Sequence, residues 1–206
     1  MFEKLAILVL GWLLGLLAPV ITDLIRSRRE NELGRQAALS ELGELGNTLA
    51  LAAFTVRADQ GSLDRKFLEW IKSDMERFSI STELQGVTLS LRQFVAMTDA
   101  ELVQLGAASS QKPNKATMLQ RYSAPLLDSR ANSLWSFETS FQRKLLEIKH
   151  HMALLDDLVD RSRKYFDLTF TKLDGDNHRL VAENHKQTCY EYGRRAELLV
   201  GKIRSL

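Results

Sequence analysis

The chain has 206 residues, 45% hydrophobic and 26% charged, with a net charge of +2. That length is enough for one compact domain with its own core. The single cysteine, Cys189, excludes an intramolecular disulfide, so nothing in the composition asks for an oxidising compartment.

From Leu5 to Thr22 the sequence LAILVLGWLLGLLAPVIT carries no charge, and Leu24 and Ile25 briefly resume the apolar character. About 20 such residues make a helix of about 30 Å, the thickness of a bilayer core. The run is longer than the apolar region of a cleaved signal and lacks a small-x-small site near Ala18-Pro19-Val20. Residues 1–25 are therefore expected to be a single transmembrane anchor, in preference to a signal peptide or a buried core helix. Arg26, Arg28, Arg29 and Arg35 follow it, whereas Glu3 offsets Lys4 before it. The positive flank predicts an outside N-terminus and a cytoplasmic bulk of the chain. Gly11, Gly15 and Pro19 recur every four residues on one face of this helix. The GxxxG pair suggests self-association through that face, and Pro19 is expected to bend its last turn.

The juxtamembrane helix, residues 26–61, carries Leu33, Ala37, Leu42, Leu45, Leu49 and Ala52 toward Val56, with a break expected near Gly43. Asp59-Gln60-Gly61-Ser62 ends it. Residues 62–206 are read as the helical bundle domain. Its second helix bears Leu63, Phe67, Trp70, Ile71, Met75 and Phe78 on one stripe, and a third runs from Thr82 through Leu91 to Val95. Thr98 and Glu101 have capping-box spacing, so a short helix is expected to start there and fade by Gly106. Residues 107–117 read as the main surface loop.

The last third has the strongest pattern. Phe141, Leu145, Ile148, Met152, Leu155 and Val159 step by four and three, with Ser162 in the next slot and Phe166 in register. After the turn at Leu173 to Asn177 the stripe resumes as Val181, His185, Thr188, Tyr192, Ala196, Leu199, Ile203 and Leu206. Two long helices joined by a short turn form an antiparallel hairpin. The fold class expected is thus all-α: a single N-terminal transmembrane helix, then a cytoplasmic antiparallel helical bundle ending in a long hairpin.

Several local patterns imitate chemistry. Asp156, Asp157 and Asp160 have the DDxxD spacing that can hold magnesium and a diphosphate, but Leu155 and Val159 occupy the buried slots and turn the carboxylates outward. Glu147 and His150 form an ExxH pair with no second copy to complete a di-metal site. His185 lies on the apolar stripe one turn from Cys189, where a half-buried, hydrogen-bonded neutral ring is expected. Asp174 to Asn177 has the wrong twelfth position for a calcium loop. No cofactor, metal site or catalytic residue is expected, and no enzymatic activity. The excess positive charge falls on the last helix as a basic face of Arg194, Arg195, Lys202 and Arg204. It suits solvent or anionic headgroups; nucleic acid is not expected, because few exposed aromatics accompany it. The functional expectation is a membrane-anchored scaffold, adaptor or effector subunit. It would act through contact with a protein partner and through self-association. The alternative is a tethered effector or enzyme subunit whose bundle binds a small signal molecule.

Overall fold

The computed structural model describes residues 2–78, 85–110, 118–129, 137–171 and 176–206, and the side chains of residues 2–10, 13, 14, 78, 85, 87, 88, 109 and 110 also lie outside the description. Among the described residues the architecture is all-helical, in the order α1 (Phe2–Asp59), α2 (Arg65–Phe78), α3 (Gln85–Ala96), α4 (Asp99–Ser110), α5 (Pro125–Ser129), α6 (Thr139–Leu168) and α7 (Asp176–Arg204).

α1 is one uninterrupted helix of 58 residues, about 87 Å long at 1.5 Å per residue. Neither Pro19 nor the expected break at Gly43 divides it. At Gly46 tertiary packing offsets the weak helix propensity of glycine. Gly46 is buried, and a Cβ there would stand 3.0 Å from Nη1 of Arg204, so the missing side chain is the space that the arginine fills. The helix ends in a Schellman motif: Ser62 N–H donates to the Arg57 carbonyl and Gly61 N–H to that of Ala58, with Gly61 at φ 65°.

The core joins both ends of the chain. Ala38, Leu42, Leu45, Leu49, Ala50, Ala53 and Val56 of α1 are buried with Leu145, Ile148, Leu155, Leu158 and Val159 of α6 and Tyr192, Ala196, Leu199, Val200 and Ile203 of α7. The buried apolar residues of α1 from Leu42 to Val56 thus pack in one cluster with those of α6 and α7. α7 runs antiparallel to α1, since Glu197 meets Arg57 while Arg204 meets Asn47. It runs antiparallel to α6 as well, pairing Lys202 with Glu147 and His185 with Ser162.

The smaller helices are pinned by polar side chains. Asp64 caps α2 through Phe67 N–H at 2.8 Å. Arg65 donates to the carbonyls of Val95 and Met97 and to Asp99, tying α2 to the joint between α3 and α4. The capping box forms, with Thr98 N–H on Glu101 and Glu101 N–H on Thr98 Oγ1. α4 does not fade at Gly106 but continues to Ser110. Gly106 lies flat on Gly61: a Cβ there would stand 2.5 Å from the Gly61 carbonyl oxygen. The remainder of the expected loop, residues 111–117, lies outside the described residues. The turn α5, not foreseen from the sequence, starts at Pro125 and is capped by Glu41, whose two carboxylate oxygens accept the N–H groups of Leu126 and Leu127 at 2.8 Å.

Candidate functional site

Three features could carry function: one is a contiguous helical arm, and the other two are built from residues far apart in sequence. The first is the N-terminal arm of α1. Trp12, Val20 and Ile25 are 64%, 61% and 60% exposed, and Leu16, Leu17, Ile21, Leu24 and Leu33 are exposed as well. Gly11 and Gly15 have no neighbour within 4 Å of a would-be Cβ, and Pro19 is exposed too. The arm therefore leaves uncovered an apolar surface that water does not favour. Among the described residues no helix is long and apolar enough to cross a membrane; the side chains of residues 2–10, 13 and 14 of the apolar run lie outside the description.

The second feature is a groove of about 550 Å³ lined by Arg57, Trp70, His151, Arg194, Arg195, Glu197 and Leu198. The four residues anticipated as one basic face separate into three environments. Arg204 is not on the surface: its guanidinium grips both oxygens of Asp74 at 3.0 Å, donates to Asn47 Oδ1 at 2.6 Å and reaches the Gly43 carbonyl at 3.3 Å. Lys202 donates to Glu147 at 2.5 Å, which holds that carboxyl below the usual carboxylate range. Arg194 and Arg195 line the groove. The separation has a geometric cause. Their seven-residue spacing, two turns of helix, places residues 195 and 202 toward α6, while α1 and α2 cover residue 204.

Within the groove most charge is already matched. Arg57 pairs with Glu197 at 2.8 Å and Asp64 at 3.0 Å, and its guanidinium lies 4.2 Å from the Phe67 ring centre. Arg195 binds Glu191 through two N–H groups. Arg194 is exposed and has no ion pair among the described residues. Trp70 packs its ring 5.5 Å from Phe67. Leu198, one turn beyond Arg194, is 48% exposed. His151 has a buried Nδ1 without a hydrogen-bond partner among the described residues. Burial, then the nearby Lys202 and His150, hold this imidazole below its ordinary value, so the neutral ring is preferred. The sequence assigns no binding role to Arg57 or His151, and it places Trp70 only on the apolar stripe of α2. Each sits on a different helix, and no local spacing announces their meeting.

The third feature is the cluster of Ser162, His185 and Cys189. Ser162 Oγ lies 3.0 Å and Cys189 Sγ 4.0 Å from His185 Nε2. The half-buried, hydrogen-bonded ring foreseen at His185 is what forms. Burial pushes the Cys189 thiol up to about 11 and lowers the imidazole. A nucleophilic thiol needs the opposite shift, so the geometry favours a packing role. The aspartates of the DDxxD spacing also find a structural use: Asp156 and Asp160 face Arg121. Among the described residues no group of three or more His, Cys, Asp or Glu side chains is placed to hold a metal ion.

The chain matches no protein-family model, no curated protein and no solved structure.

Proposed function

We propose that the protein is a membrane-anchored helical adaptor that acts through contact with a partner protein rather than through chemistry of its own. The observation that carries this reading is the continuity of α1. One helix links an exposed apolar arm to the buried core, so whatever holds the arm sets the position of the bundle. An arm with these exposed side chains needs an apolar environment, and the uncharged run from Leu5 to Thr22 has the length for a bilayer. Single-pass topology with the bundle in the cytoplasm follows from Arg26, Arg28 and Arg29. The uncovered face at Gly11 and Gly15 supports self-association within the membrane.

The test is extraction and topology. The full chain should remain in the membrane pellet after alkaline carbonate. A reporter that is active only outside the cytoplasm, fused after Leu206, should stay silent. Release of the chain by carbonate would refute the anchor, and an active reporter would refute the orientation. Oligomer size in mild detergent should fall for Gly11→Ile/Gly15→Ile, and a monomeric wild type would end the self-association reading.

A further inference from the structure

The groove on α7 brings arginine, aromatic and aliphatic side chains to one surface. Its paired arginines, Arg57 and Arg195, are held by Glu197 and Glu191 and form a fixed rim. Arg194 is the one lining arginine without an ion pair among the described residues. Leu198 lies beside it on the same helix face, and Trp70 faces the same space from α2. Resting on the adaptor reading, we propose that this groove binds an acidic segment of a cytoplasmic partner protein, with Arg194 taking one carboxylate and Trp70 and Leu198 covering the apolar side chain next to it.

Three considerations select that occupant. The first is charge: one uncompensated arginine matches a single carboxylate, whereas a polyphosphate or nucleic acid backbone calls for several free cations. The second is shape. A small metabolite is normally enclosed on most sides, but Arg194 and Leu198 lie on the exposed side of α7, which suits an extended segment. Tryptophan and arginine beside an aliphatic residue are also the composition of an interface centre. The third is distance. Arg57 is 32 residues beyond Ile25 on one helix, about 48 Å along the axis. The field of an anionic membrane surface decays over about 8 Å at physiological salt, so headgroups around the anchor do not reach the groove.

The test uses the full chain in detergent micelles and a bead-bound heptapeptide library. The central residue is glutamate or aspartate in one half, glutamine or asparagine in the other, and the flanks are varied apolar residues. Acid-centred peptides should be retained about tenfold more tightly than their amide counterparts, the factor expected for one charge-assisted contact. Arg194→Glu should abolish that preference, and Leu198→Ser should weaken all binding. Both positions are exposed, so the helical signal and thermal melt should stay unchanged. Equal retention of acids and amides, or a preference that survives Arg194→Glu, would overturn the proposal. A second arm uses the chain in phosphatidylcholine nanodiscs, mixed with vesicles containing phosphatidylserine. Tethering of those vesicles that Arg194→Glu removes would assign the groove to lipid instead and equally overturn it. The peptide arm is run in detergent and does not depend on membrane insertion, so failure there and failure of the anchor are read separately.

Discussion

Replacing Arg204 with methionine isolates the contact that binds the end of α7 to α1 and α2. The Arg204 and Asp74 side chains are 11% and 6% exposed, and two of the arginine nitrogens meet the two carboxylate oxygens at 3.0 Å. Arg204→Met keeps much of the aliphatic stem but leaves the Asp74 carboxylate and the Asn47 carbonyl oxygen buried without this donor. Breaking one side of a buried pair costs about 3–5 kcal/mol, because the remaining charge stays desolvated. Asp74→Leu should cost a similar amount by stranding the guanidinium. The double variant removes both charges together and should recover most of the loss, since an apolar pair of similar volume is often neutral. Urea unfolding of the full chain in mild detergent, followed by circular dichroism, gives the three midpoints. A single-variant loss below about 1 kcal/mol would place the pair among solvent-screened ones and refute the reasoning. A double variant as unstable as the sum of the singles would refute it too.

Gly106→Ala should destabilise by about 1–3 kcal/mol in the same assay, the cost of overpacking, because its Cβ would press on the Gly61 carbonyl at 2.5 Å. Gly61→Ala should be worse, since it adds a positive φ to the clash. His185 titrates below its ordinary value when folded, owing to burial. The unfolded chain therefore takes up the proton first: stability is full above about pH 6.5 and declines as pH falls through the folded value. His185→Gln should flatten that slope below about pH 6.5, and an unchanged slope would clear His185. The Cys189 thiol, buried and pushed up to about 11, should resist iodoacetamide at pH 8 and react fully in urea. Rapid alkylation of the folded chain would contradict its burial.

How much of this was legible in advance depends on the range of the interaction involved. Periodicity exposed the hairpin helices, because one buried face imposes its 3.6-residue rhythm on the local sequence. The turn at Asp59 to Ser62 and the capping box at Thr98 and Glu101 were equally readable, since their hydrogen bonds close within five residues or fewer. The stripe drawn on α7 held at Thr188, Tyr192, Ala196, Leu199 and Ile203, yet omitted Cys189, Gly193 and Val200, which are buried too. A helix wedged between α1 and α6 buries two faces, and a single-stripe reading finds one. The unbroken α1, the extension of α4 past Gly106 and the capped α5 each depend on a remote partner: Arg204, Gly61 and Glu41. The same holds for the charges. Arg194, Arg195, Lys202 and Arg204 are neighbours along the chain, but which of them is matched is settled by carboxylates on other helices, Asp74 and Glu147, or one turn away at Glu191. Local sequence can specify a helix and the face that it must bury. Whether a given arginine is a buried strut or a free hand depends on what the fold brings against it.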